Sequence, residues 1–290
     1  MRQVHSNTQK ESPMNKSSLL WREDLSAAEI QELTSLVADK YKDAPNLIVA
    51  PDNDVFYVGD LHGELKSALA ARDLLLDNQG SCMIFLGDYA DRGPQQVETF
   101  NLVLSLAIEY PTRVFMLRGN HESSEIARVY GFYPTVSERY SHGLFDSYCR
   151  VFEVLPLAAL SPEGLFACHG GVPERVTSSE QIQEIDRFHP NFPDDTAFQL
   201  VWNDPREADF RFRQSYRSDR AREFGRRAFE EFASNLGIQL MIRGHEAFEN
   251  GYQYFFDGRL MSVFSASYGG AVNPKVIRVR NGLKIEVVSI

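Results

Sequence analysis

Several short apolar runs in this chain end in the same way, with glycine beside side chains that bind metals. Residues 55–58 give way to Gly59-Asp60-Leu61-His62-Gly63-Glu64, and 82–86 to Gly87-Asp88-Tyr89-Ala90-Asp91-Arg92-Gly93. Residues 114–117 give way to Arg118-Gly119-Asn120-His121-Glu122, 165–168 to His169-Gly170-Gly171, and 240–242 to Arg243-Gly244-His245-Glu246. Runs this short and this apolar read as buried strands. The glycines let the backbone turn and let another group approach. Between the first three runs the pattern is helical. One helix is expected over 64–76 with Leu65, Leu69 and Leu76 inward. Another carries Val97, Phe100, Leu104 and Ile108, with Pro94 in its first turn and a stop at Pro111. Strand, helix, strand, helix, strand is a βαβαβ unit on a parallel sheet, where ligands bind beyond the carboxyl ends of the strands. The polar clusters should therefore gather at one rim. Asp60 and His62, two apart in an extended segment, are expected to point to the same side.

The rest of the chain fits one α/β domain over 25–290, with two β-sheets packed together and flanked by helices. A polar N-terminal stretch, 1–24, reads as a mobile tail. Ser26 and Glu29 fit a capping box, and Leu25 with Ile30 a hydrophobic staple, ahead of a helix with Ile30, Leu33, Val37 and Tyr41 on one face. Helix is further expected over about 135–152 and 223–236. Asp257-Gly258 and Asn281-Gly282 signal two-residue hairpin turns, so mostly antiparallel strands should follow the parallel unit.

The net charge of −10 argues against nucleic acid, which needs a basic face, and against an anionic membrane surface. Cys82, Cys149 and Cys168 have no metal or redox spacing and read as buried small hydrophobes in a reducing compartment. With no apolar leader in the opening residues and no long apolar window, a cytoplasmic enzyme is the expectation.

Asp60, His62, Asp88, Asn120, His169 and His245 are the candidate ligands at strand ends. Taken together, in register with strand ends, they read as a metal site. Imidazole, carboxylate and amide donors without thiolate suit manganese, iron or zinc, and six of them exceed what one ion with an open position needs. Two divalent ions sharing one carboxylate, ~3.5–4 Å apart, fit better and would hold a hydroxide for attack on phosphorus. His121 is better suited to protonating a leaving alkoxide, with Asp91 accepting a hydrogen bond from its other nitrogen. Arg92 offers a planar fork of donors for phosphate oxygens.

The series GDLHGE (59–64), GDYADRG (87–93), LRGNHE (117–122), HGG (169–171) and RGH (243–245) resembles the phosphoprotein phosphatases of the metallophosphoesterase superfamily. Residues 126–133 and 154–158 look like the catalytic subunits of serine/threonine protein phosphatases of types 1 and 2A. The resemblance runs from about Leu25 to the C-terminus. It implies a central β-sandwich between helical layers and hydrolysis of phosphomonoesters on phosphorylated proteins without a phosphoenzyme. It implies Asp60 and His62 on one metal, Asp88 bridging, and Asn120, His169 and His245 on the other. His121 would be the general acid oriented by Asp91, and Arg92 and Asn120 would touch phosphate. Small members of the family often rely on partners for specificity, so the resemblance leaves room for a regulatory subunit, and nothing in the sequence identifies one. Diadenosine tetraphosphate is an alternative substrate, and a phosphoprotein-binding module without turnover is another reading.

The sequence departs from the family at three places. The second phosphate-binding arginine falls in a segment with Arg217, Arg220 and Arg222, where spacing to Phe224 favours Arg217 over Arg220. The family's Ser-Ala-Pro-Asn-Tyr loop is one residue shorter here, Ser265-Ala266-Ser267-Tyr268, which leaves Tyr268 in the tyrosine role and toxin sensitivity open. Trp-Ser-Asp-Pro appears as Trp202-Asn203-Asp204-Pro205. Arg118 reads as structural. The arginines crowded over 206–227 either steer phosphorylated substrates or form an ordinary surface interleaved with acids.

Overall fold

The computed structural model describes residues 21–51 and 54–290. The expected tail over 1–24 thus lies mostly outside the described residues. Trp21, ahead of the expected start at Leu25, is already packed: its indole Nε1 donates to the Glu98 carbonyl at 3.2 Å, and its ring lies on the core. The capping box forms as expected. Ser26 Oγ accepts the Glu29 N–H, the Glu29 carboxylate accepts the Ser26 N–H at 2.9 Å, and α1 (Ala27–Tyr41) follows.

Next come β1 (Leu47–Val49), β2 (Val55–Val58), α2 (Leu65–Asp77), β3 (Cys82–Phe85), α3 (Gln96–Glu109) and β4 (Val114–Met116). β2, β3 and β4 pair in parallel, the expected βαβαβ unit. The inward face of α2 is Leu65, Ala68, Ala71 and Leu75, while Leu76 is 41% exposed. The small alanines, which let the helix sit close to the sheet, carry the stripe in place of the leucine spacing. Pro94 lies ahead of α3, in the turn that precedes it.

The helical region beyond is divided into α4 (Ser124–Tyr130), α5 (Phe132–Arg139) and α6 (His142–Val154). Gly131, at φ 118°, takes the break between the first two. Then follow β5 (Ala158–Leu160), β6 (Leu165–Cys168), α7 (Ser179–Gln183), α8 (Asp195–Trp202), β7 (Asp204–Pro205), β8 (Phe212–Gln214) and β9 (Arg222–Phe224). The helix expected from 223 begins three residues later, as α9 (Arg226–Leu236), because Arg222–Phe224 pairs with β8 instead. The chain closes with β10 (Leu240–Arg243), β11 (Tyr252–Phe255), β12 (Leu260–Val263), β13 (Lys275–Arg280) and β14 (Lys284–Ser289).

Two mixed sheets form the centre, in the orders β14-β13-β2-β3-β4 and β1-β5-β6-β10-β12-β11, with a small sheet β7-β9-β8 beside them. β10 runs parallel to both β6 and β12, so the second half is less antiparallel than its turn signals suggest. Those signals do mark hairpins, but with longer loops: Phe255 pairs with Leu260, and Arg280 with Lys284. Period-two alternation sorts the core. Val55 and Tyr57 of β2 face the other sheet with Ile84, Ala167, Ile242 and Met261. Phe56 and Val58 face outward onto α1, α2, α3, α5 and α6. On the opposite flank Phe166 and Met241 pack beneath α8 and α9. Cys82, Cys149 and Cys168 are buried free thiols. Among the described residues no helix is long and apolar enough to cross a membrane.

Candidate metal centre

The site is assembled from turns that leave the strands at one end of the two sheets. Asp60, two residues past β2, forms an isolated parallel bridge with Phe264, just past β12 of the other sheet. The Leu61 and His62 N–H groups both donate to the Asp88 carbonyl at 3.0 Å, which ties the first turn to the second. Strand alternation does not aim Asp60 and His62 together, as expected from sequence; His62 sits at φ 42°, and a left-handed turn swings its ring inward. Asp88, Asp91, Arg92, His245 and Tyr268 are also left-handed, with φ between 49° and 69°. Gly87 allows the second and third turns to touch: a Cβ there would lie 2.3 Å from the Gly119 nitrogen. The buried Glu122 carboxylate clamps them, accepting the N–H groups of Asp88 at 2.8 Å, Tyr89 at 3.1 Å and Gly119 at 2.9 Å.

The expected ligands converge in two groups around Asp88. His62 Nε2 lies 3.6 Å from Asp60 Oδ2 and 3.6 Å from Asp88 Oδ2. His169 Nε2 lies 3.3 Å from Asp88 Oδ2, 2.8 Å from Asn120 Oδ1 and 3.2 Å from His245 Nδ1. Two geometric clusters follow, His62/Asp88/His121 and Asp88/His169/His245, and both contain Asp88. Asp60 Oδ2 is buried without a hydrogen-bond partner. A fully buried carboxylate oxygen in that state costs free energy unless a cation meets it. The imidazoles are already oriented from behind, with His62 Nδ1 at 3.1 Å from the Ala90 carbonyl and His169 Nδ1 at 3.1 Å from the Leu86 carbonyl. That is how metal-binding histidines are usually held. The donors present therefore fit a pair of divalent ions.

Electrostatics point the same way. Burial, and then the Asp88 charge, push the Asp60 carboxyl up to about 6. Burial, with His121 nearby, pulls His62 down to about 3. Burial also opposes charge on Asp88, but His169 and His121 hold it well below the usual carboxylate range. Asp88 is thus kept charged and His62 neutral, as a cation requires, while the buried Asp60 carboxyl resists charge until a cation meets it.

His121 stands apart from the ligand groups in one respect. Its Nδ1 lies 2.6 Å from Asp91 Oδ2, while Nε2 faces the cavity, 3.4 Å from Arg92 Nη2 and 3.9 Å from Asp88 Oδ2. Burial alone would lower its pKa; the Asp88 charge and the Asp91 hydrogen bond outweigh that and raise it. Asp91 is itself fixed by the Phe132 N–H at 2.9 Å.

The arginine alternatives separate clearly. Arg217 lines the same cavity of about 260 Å³ as Asp88, Asn120, His121 and Arg92. Its Nε pairs with the buried Asp204, which also receives Arg243 Nη2 at 2.8 Å. Arg220 turns away to Asp195 at 2.7 Å and to the Phe192 carbonyl. Arg222 pairs with Glu174 at 3.0 Å. The other crowded arginines, Arg206, Arg211, Arg213, Arg226 and Arg227, are likewise paired with acids. This is the interleaved surface, with Arg217 the member that reaches the cavity. Arg118 is fully buried and spends its guanidinium on the carbonyls of Glu122, Arg187 and His189, a structural pin.

Sequence reasoning missed Glu122, Tyr130 and Trp202 as parts of the site. Arg92 stacks on Tyr130 at 4.7 Å, Tyr130 meets the His121 ring edge at 5.0 Å, and Trp202 meets His245 at 5.5 Å. Trp202 also borders a second cavity of about 440 Å³ with Ile126 and Phe192, next to the metal site. Both aromatic residues fall in stretches that carry the family resemblance, 126–133 and 202–205, but their neighbours in space come from distant segments, so no local rule assigns them to the site.

A family model described as calcineurin-like phosphoesterase matches residues 54–248. The chain is 35% identical over 239 residues to the serine/threonine-protein phosphatase PP2A-like PPG1 of Candida albicans, covering 82% of this chain and 57% of that one. It is 35% identical over 216 residues to the serine/threonine-protein phosphatase 4 catalytic subunit of Saccharomyces cerevisiae, covering 74% of this chain and 70% of that one. In fold it superposes on a protein serine/threonine phosphatase from S. cerevisiae with similarity to human phosphatase PP5, at TM-score 0.83 and 28% identity, covering 92% and 90% of the two chains.

Proposed function

The chain belongs to the calcineurin-like phosphoesterases, with the phosphatases of the PP2A type among its relatives, and from that premise we propose that it is a metal-dependent serine/threonine protein phosphatase. The observation that carries the proposal is the meeting of two ligand groups on Asp88, with the His121–Asp91 pair facing the same cavity. When bound, a pair of divalent ions supplies Lewis acidity toward phosphoryl oxygens and lowers the pKa of water. Asp60, His62 and Asp88 would hold one ion, and Asp88, Asn120, His169 and His245 the other. The mixed nitrogen and oxygen donors suit manganese first, then iron or zinc.

The remaining work falls to the chain. Arg92 and Arg217 enter the cavity from separate elements and together grip the phosphoryl oxygens. Stacking on Tyr130 holds Arg92, and Asp204 holds Arg217, so neither guanidinium must be ordered by the substrate. Tyr268 closes the cavity on the side of His62, their rings 5.7 Å apart. His121 Nε2 delivers the proton to the departing serine or threonine oxygen. Asp91 keeps the ring in the orientation that makes this transfer possible and favours its protonated form. The proton leaves Nε2, and the Asp91 hydrogen bond to Nδ1 persists throughout.

A competing assay with manganese present tests the reading. Inorganic phosphate should be released from a phosphoserine or phosphothreonine peptide faster than diadenosine tetraphosphate is split. Preference for the dinucleotide would move the chain to the phosphoanhydride hydrolases. Tight phosphopeptide binding without any phosphate release would make it a binding module.

A further inference from the structure

Glu64 opens α2 at the N-cap, yet its side chain does not cap its own helix. It reaches instead to a segment 203 residues away. Ser267 donates twice to this one carboxylate, through its backbone N–H and, at 2.5 Å, through its Oγ. Ser267 precedes Tyr268 in the shortened loop that closes the cavity. Inside the loop the Gly270 and Val272 N–H groups donate to the Ser267 carbonyl at 3.0 Å, and Ala266 and Val272 are buried with Phe264, so Ser267 is the point on which the turn hinges. Gly269 and Gly270 have no heavy atom within 4 Å of where a Cβ would stand, and both are left-handed, at φ 68° and 93°. Tyr268 itself sits at φ 49°, a conformation that costs a non-glycine residue free energy, and is 39% exposed. Its ring nevertheless lies against Phe264 at 5.1 Å and His62 at 5.7 Å, with the Arg92 guanidinium 6.0 Å from its centre.

We infer that Glu64 is a positioning residue: its carboxylate clasps Ser267 and thereby holds Tyr268 over the substrate side of the cavity. A strained, exposed loop keeps one conformation only where neighbours over-determine it. Here the double hydrogen bond to Glu64 ties the turn built on the Ser267 carbonyl to the start of α2. The clasp also forms one wall of an adjoining cavity of about 330 Å³, lined by Gly93, Pro94, Ala266 and Gly269. It thus shapes the floor on which the residue flanking the phosphorylated one would lie. The inference rests on the phosphatase reading for its kinetic part, and on geometry alone for its structural part.

Hydrogen exchange and kinetics on the full chain test it together. In Glu64→Ala, amides of 267–271 should exchange at least about tenfold faster, because their tether is gone. The phosphopeptide KM should rise about fivefold or more with kcat changed less than about threefold. Glu64→Gln keeps an oxygen for the Ser267 N–H and should restore both. In a Tyr268→Ala background, Glu64→Ala should add little, since the clasp acts through the tyrosine. Unchanged exchange in Glu64→Ala overturns the clasp. So does a Glu64→Gln variant as impaired as Glu64→Ala, which would assign the carboxylate's charge to the neighbouring metal site. Additive losses in the double variant overturn it as well. If the wild type releases no phosphate, the phosphatase reading fails, and the exchange result alone still decides the clasp.

Discussion

At the scale of single residues, the site concentrates backbone conformations that side chains avoid. His62, Asp88, Asp91, Arg92, His245 and Tyr268 all take positive φ, six of the nine non-glycine residues that do so among the described residues. Such strain persists where surrounding bonds fix it, and here it turns ligands inward. His121→Asn should lower kcat by about 10²–10⁴-fold, the usual worth of a positioned acid. Metal content measured by plasma mass spectrometry should stay close to wild type; its loss would make His121 a ligand. Arg217→Ala should reduce kcat/KM by about 10–100-fold, as expected for a charge-assisted contact with phosphate. Arg220→Ala, whose guanidinium faces Asp195, should change it less than about threefold in the same phosphopeptide assay, and equal effects would contradict the separation seen here. The candidate ligands that the structure brings together were legible in the sequence because each follows an apolar run. The choice between Arg217 and Arg220 was legible only as a spacing preference, since it depends on Asp204 lying beneath one of them.

At the scale of elements, the parallel unit and the α1 cap were readable from local rules, while the limits of α2, α4–α6 and α9 were not. Leu76 follows the leucine spacing yet lies outside the buried stripe because alanines line it, and α9 starts late because Glu223 and Phe224 join a three-stranded sheet that has no local signature. One element contact makes a pH prediction. Lys40, near the end of α1, donates to the carbonyls of Ala107 at 2.8 Å and Val114 at 3.1 Å, tying α1 to α3 and β4. Burial pulls its pKa down to about 8. The unfolded chain keeps its ordinary lysine value, about 10.4. Below about 8 both states hold the proton and the burial cost is complete; between the two values only the unfolded state holds it, so stability rises with pH. Denaturant titrations of wild type and Lys40→Met at pH 7 and 10.5 should therefore show the wild type gaining on the variant by roughly 1–3 kcal/mol. A constant difference would mean that the ammonium is as well solvated in the fold as outside it.

At the scale of the whole molecule, the two sheets bring strand ends from residues 58 to 245 to one rim, and the chemistry belongs to that rim rather than to any one segment. Asp88 is the shared point. It lies between His62 on one side and His169 on the other, and its turn is fixed by Glu122 and by the first loop. The acidic net charge of −10 is compatible with this because the arginines that approach the cavity are few and individually held. An anomalous-difference map from crystals grown with manganese settles whether this rim is a two-ion centre. The expected map has two peaks, one beside Asp60 and His62, the other beside Asn120, His169 and His245, with Asp88 reaching both. A map with a single peak, or with peaks away from Asp88, would contradict the account.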